Sequence, residues 1–156
     1  MVLPSSDPKP VPFMQTGFNE EQGRFSPSGR WVAYVSNQSG LNEIYVRAFA
    51  TDFSSGSASV GGATLVSRGG GTAPRWRRDG RELFYLAPNG KMMAVDVKAG
   101  QAFDVGAPTA LFQTPPGAIV GDVTPDGQRF LLVTPVGLRA SAPFTVVLNW
   151  TVELKK

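Results

Sequence analysis

Three charged residues recur at one position of a repeated pattern: Arg24, Arg75 and Asp122, spaced 51 and 47 residues apart. Each stands directly before a core-type side chain, Phe25, Trp76 or Val123, in a stretch that reads as a β-strand. Successive side chains point to opposite faces of a strand. If Phe25, Trp76 and Val123 pack inward, the charged trio therefore lines a common open surface. Guanidinium groups there could take a small anion or a carboxylate through charge-assisted hydrogen bonds. Gln22 adds an amide one step further along, in register with Ala73 and Val120. The competing reading is that Arg75 and Asp122 pair with each other and bind nothing.

Other chemistry is thinner. "NEEQ" (Asn19 to Gln22) brings Glu20 and Glu21 together, oxygen ligands of the kind calcium takes, but no EF-hand-like spacing supports more than a solvated loop. "RWRRDGR" (Arg75 to Arg81) sets an aromatic among cations, as single-strand nucleic-acid binders do. On a strand, however, Trp76 faces away from Arg75 and Arg77, which favours a core tryptophan with solvated arginines and no nucleic-acid partner. "GGATLVSRGGGTAP" links two strands, with no following helix to present N–H groups to a phosphate. Histidine and cysteine are absent, which removes the commonest general base, the commonest transition-metal ligand and every thiolate. There is no G-x-S-x-G elbow. Asp122 with Glu20 or Glu21 is the one carboxylate set a metal-dependent hydrolase could use. No catalytic residue and no cofactor are therefore expected, with calcium the sole candidate ion.

The elements that must position these residues are strands. Gly29, Gly80 and Gly127 each follow a small polar residue, Ser28, Asp79 or Asp126, and each precedes an apolar run: "WVAYV", "LFYL", "FLLV". Such pairs between β-type runs signal tight hairpins. Self-similarity at this period, with strand signals alone in each unit, marks propeller blades. The first unit reads as strands over 21–26, 31–36, 42–49 and 63–68, and the second as "APRWR", "ELFYLA", "KMMAVDVK" and "PTALFQT". The third reads as "AIVGDVT", "RFLLVT" and "FTVVLNWT", without an outermost strand. "KPVPFMQT" (Lys9 to Thr16), with prolines of one parity, reads as the outer edge strand of a blade.

"FSPSGRWVAYVSNQSGLNEIYV" and "TPDGQRFLLV" resemble the TolB-type β-propeller repeat, over about residues 10–150. "GGGTAPRWRRDGRELFYL" and "VVLNW" are also similar to propeller segments at the C-termini of some bacterial serine/threonine kinase-like proteins, although no kinase signature occurs here. The middle unit departs from the repeat, with Arg77-Arg78 in place of Ser-Pro. The resemblance implies six blades, a binding function toward a protein or peptide, and an extracytoplasmic, periplasmic setting. No signal-peptide layout or membrane-length apolar run appears in the sequence.

The expected fold is thus an all-β propeller with three four-stranded blades per chain, half of a six-bladed ring. Its parts are residues 1–16 as an outer strand completing a blade in trans or in cis, then blades over 17–68, 69–115 and 116–156. Three blades leave a flat apolar face at each end, and a two-fold homodimer closes both identically. A three-bladed monomer and a truncated fragment are the alternatives. In function, a non-catalytic binding module with recognition loops at 37–43 and 51–62 stands first. A channel-binding or hydrolytic propeller acting on a small anion, and a purely structural self-assembling fragment, stand beside it. The modest net charge of +3 permits an anionic partner without requiring one.

Overall fold

The computed structural model describes residues 12–52, 57–59, 61–100, 102–135 and 144–148. Among them every regular element is a strand. The first sheet runs β1 (Glu20–Phe25), β2 (Trp31–Ser36), β3 (Glu43–Ala48) and β6 (Thr64–Leu65), each antiparallel to its neighbour. Between β3 and β6 lies a hairpin of β4 (Ala50–Asp52) and β5 (Ser57–Ser59), where the sequence suggests a plain loop. The second sheet runs β7 (Thr72–Trp76), β8 (Glu82–Leu86), β9 (Lys91–Ala99) and β11 (Thr109–Gln113), and β10 (Phe103–Val105) folds back on the far end of β9. The third holds β12 (Ile119–Val123), β13 (Arg129–Val133) and β14 (Phe144–Leu148).

The repeated turn explains why each sheet begins as it does. Gly29, Gly80 and Gly127 adopt φ of 70°, 71° and 74°, the left-handed region open to glycine. Their N–H groups donate back to the carbonyls of Ser26, Arg77 and Thr124, closing identical turns. Ser28, Asp79 and Asp126 accept the N–H two residues on, from Arg30, Arg81 and Gln128.

Face-to-face burial joins the sheets in sequence. Ala33, Val35, Ile44 and Val46 of the first sheet pack on Leu83, Tyr85, Val95 and Val97 of the second. The opposite face of the second, with Phe84, Met92, Ala94 and Leu111, packs on Val120, Phe130 and Leu132 of the third. The Phe84 and Phe130 rings meet edge to face at 5.1 Å. Neighbouring antiparallel sheets stacked this way, with β1, β7 and β12 side by side, make the fold propeller-like. The apolar core of the third sheet packs on the second.

Three expectations are corrected. Phe25 was placed in packed core, yet it is 52% exposed. Its counterparts Trp76 and Val123 each pack into the cluster shared with the preceding sheet, and among the described residues no sheet precedes the first. Glu43 was assigned to an exposed recognition loop, but it is buried, accepting from the Ser67 hydroxyl and, at 2.9 Å, from Gly69 N–H. Of the proposed edge strand over 9–16, the described residues 12–16 are not in a strand. Phe13 instead lies buried against Phe49, ring centroids 5.3 Å apart. The remainder of that segment, and the segment after Leu148, lie outside the described residues.

Candidate functional site

The charged trio sits on the three innermost strands, and each of these strands is bulged just before it. In β1, Gln22 and Gly23 fall between the pairs Glu21↔Val35 and Arg24↔Ala33. In β7, Ala73 and Pro74 occupy the same place between Thr72↔Leu86 and Arg75↔Phe84, and in β12 Gly121 alone is extra. Gln22 and Ala73 carry φ of 56° and 55°, left-handed backbone that costs a non-glycine residue about 1 kcal/mol or more. A bulge also removes backbone groups from the ladder, and these must find other partners. The Ala73 N–H donates to Gln22 Oε1 at 2.6 Å, one sheet away. Gln22 is therefore a joint between the first two sheets.

Arg75 performs the matching task between the second and third. Its Nε donates to Gly121 O at 2.9 Å, and one terminal nitrogen reaches Gly121 O at 2.8 Å and Val120 O at 2.9 Å. The other donates to Pro74 O at 2.8 Å. Burial and then the neighbouring Arg24 cation push this guanidinium below its usual pKa, while Asp122 acts in the opposite direction. Asp122 forms no ion pair with it; its carboxylate accepts from Val123 N–H at 2.8 Å. Arg24 is exposed, with a single 3.5 Å bond to the Gly23 carbonyl. Trp76 completes the joint by donating its indole N–H to Arg24 O at 3.1 Å.

Arg24, Arg75 and Asp122 do come together, with Phe25 and Trp76, around an open hollow of about 370 Å³. Gln22 and Val120 do not share it. Val120 is buried in the cluster between second and third sheets, because the bulge resets the alternation on which its channel-side placement depends. Glu20 and Glu21 line a different hollow of about 500 Å³ with Phe13, Val32 and Tyr34, on the outer face of the first sheet. There Glu20 Oε1 is buried without a hydrogen-bond partner, as is the Tyr34 hydroxyl, whose pKa burial raises. Among the described residues no three His, Cys, Asp or Glu side chains gather as metal ligands.

The basic run resolves into a local network that alternation alone does not reveal. Arg77 pairs with Asp79 at 2.7 Å and with Glu82, and the contact with Arg77 holds the Asp79 carboxyl down at about 2. Arg77 and Asp79 border a groove of about 680 Å³ between the first two repeat turns, with Arg30, Arg81, Asp96 and Lys98. Its charges are mixed in sign, and Arg30, Arg77 and Asp79 are tied to backbone or to each other. The signal in the sequence is the Arg77-Arg78 departure itself: a residue unable to play serine's part must bring its own partners.

No protein-family model matches this chain. No curated protein matches it. Among solved structures it is similar to an oligogalacturonate lyase in complex with manganese, at 20% identity and a TM-score of 0.46, over 70% of this chain and 27% of that one. It is also similar to TolB from Acinetobacter baumannii, at 17% identity and a TM-score of 0.38, over 86% of this chain and 41% of that one. The chain thus spans less than half the length of either.

Proposed function

We propose that this chain is a non-catalytic propeller module that recognises a protein or peptide and closes its ring with a second copy of itself. The observation that carries the reading is the use of Arg75. The most buried cation of the trio spends its donors on backbone carbonyls of the adjoining sheet, a joint rather than a reactive site. The remaining groups of the hollow, Arg24 and Asp122, are surface charges without a base, nucleophile or ligand cluster beside them. The two outer sheet faces support the second half of the reading, since Phe25, Ile119 and Leu131 stand 52%, 65% and 37% exposed there. Two loops at opposite ends of the first sheet offer recognition surfaces: residues 37–42 between β2 and β3, and the β4–β5 hairpin beyond Ala48.

The extracytoplasmic setting follows from the sequence resemblance alone; among the described residues no helix is long and apolar enough to cross a membrane. The kinase-linked setting gains no support from the comparisons. Thermal shift with calcium, EDTA, phosphate and sulfate tests the non-catalytic half. The melting temperature stays within about a degree in all four. Stabilisation by calcium, or by an anion in a manner lost in Arg75→Ala, would move the assignment to a small-ligand or hydrolytic propeller. Light scattering tests the other half, with an expected mass of twice the 16.6 kDa of one chain.

A further inference from the structure

Resting on that ring-closure reading, we infer that the closing seam is keyed by an ion pair between Asp122 of one copy and Arg24 of the other. The repeat itself supplies the geometry. Side chains at the Arg24, Arg75 and Asp122 position stand on adjacent innermost strands and line one hollow of about 370 Å³. Going round the innermost strands, the first junction sets Arg24 beside Arg75, two like charges, and Arg75 is drawn off to carbonyls of the third sheet. The second junction sets Arg75 beside Asp122. A third junction, formed when another copy docks its first sheet on this third sheet, sets Asp122 beside the second copy's Arg24.

Both members of that pair are exposed and without an ion-pair partner among the described residues. A closed two-copy ring therefore reads Arg, Arg, Asp, Arg, Arg, Asp around its inner rim, each Asp122 between two cations. The apolar side chains agree in register. Leu83 and Tyr85 of β8, like Phe130 and Leu132 of β13, face the sheet before them; Ala33 and Val35 of β2, like Phe84 of β8, face the sheet after. By the same alternation Leu131 and Val133 face a sheet after the third, and exposed Phe25 faces one before the first, where Val32 and Tyr34 are already buried within the chain. Charge complementarity, with exposed Phe25 at one face and Leu131 at the other, selects a second copy of this chain as the occupant. A like-charged rim would repel it.

The test is a charge swap on the intact chain, read as the dimer dissociation constant by sedimentation equilibrium at low salt. Arg24→Asp and Asp122→Arg each place like charges at two identical seams. Each is expected to weaken the dimer roughly tenfold or more, an effect that shrinks as salt screens the pair. The double variant, Arg24→Asp with Asp122→Arg, restores dimerisation to within about threefold of wild type. That rescue also shows that the singles were folded, and far-ultraviolet circular dichroism checks each directly. A wild-type dimer that either single leaves unchanged, or that the double fails to rescue, overturns the keying pair while leaving ring closure standing. A wild type that stays monomeric up to high micromolar concentration removes ring closure and the pair together.

Discussion

Among the described residues, replacing Arg75 by alanine removes the side-chain donors that reach from the second sheet to the innermost strand of the third. The acceptors are the carbonyls of Gly121 and Val120, at 2.8 to 2.9 Å. Gly121 has no opposite residue in the β12–β13 ladder, so its carbonyl has no alternative strand partner. Nor can the bulge be straightened by adding a side chain: a Cβ on Gly121 would stand 3.2 Å from Leu131 O. A hydrogen bond from a charged donor contributes about 1.5–3 kcal/mol net. Arg75 is only half-buried and water can reach part of the vacated space, so the low end applies to each acceptor. Arg75→Ala should therefore lose about 2–4 kcal/mol. At roughly 2–4 °C per kcal/mol for a chain of this length, that is a fall of about 4–16 °C in Tm.

Arg75→Lys separates geometry from charge. Lysine keeps the cation but not the planar fork that serves two carbonyls at once, so it should recover less than half of the loss. Differential scanning calorimetry supplies Tm, and amide hydrogen exchange locates the damage. Protection should fall in β12 and β13 and hold in β2 and β3, because the joint concerns the third sheet alone. An Arg75→Ala protein melting within about a degree of wild type would show that water serves those carbonyls equally well. The assignment of Arg75 as a joint would then be wrong, and its guanidinium would be free for a ligand.

Two further outcomes test the turns. Gly29→Ala and Gly127→Ala face similar backbone strain, at φ of 70° and 74°, about 1–2 kcal/mol each. Only at Gly127 would the new Cβ lie 3.0 Å from the fully buried Phe84 ring, so its urea midpoint should fall further, by roughly another 1–2 kcal/mol; equal midpoints would mean the third turn is not seated on the second sheet. Asp79, with its pKa lowered to about 2 chiefly by Arg77, contributes stability that is present above its unfolded value near 3.8 and is lost as pH falls toward 2. Asp79→Asn should make the acid limb of a stability–pH curve shallower across that window, and an unchanged slope would show the pair to be fully solvated.

The strands were legible because their punctuation is chemical. Trp31–Ser36 is bracketed by a Gly29 turn and a Gly40 turn, and such brackets fix where pairing starts and stops more firmly than propensity does. Glu82–Leu86 and Arg129–Val133 follow for the same reason. What alternation could not carry was the bulge. Two residues opposite one shift every side chain before them to the other face, and nothing in "EEQGRF" announces it, since Gln22 is a side chain normally excluded from positive φ. Hence Val120, expected on the channel side, lies in the core, while Arg24, Arg75 and Asp122, after the bulge, line one hollow. Phe25 failed for a different reason: sequence identifies what wants burial, and only the neighbouring sheet decides whether burial is supplied.

The departures from the repeat follow the same logic of supply. In the first and third turns the Ser26 and Thr124 hydroxyls accept from Trp31 and Arg129 N–H at 3.1 and 3.0 Å, holding the turn from within. Arg77 has no acceptor to offer, and the second turn is held instead from outside, by its guanidinium on Asp79 and Glu82. Arg78, where the other units have proline, keeps an N–H, and that N–H donates to Pro125 O of the third turn at 3.3 Å. The unit flanked on both sides within the chain is thus the one whose turn reaches sideways. The outer units keep self-sufficient turns, and their departures from each other fall instead on the rim position, Arg24 against Asp122, on either side of Arg75.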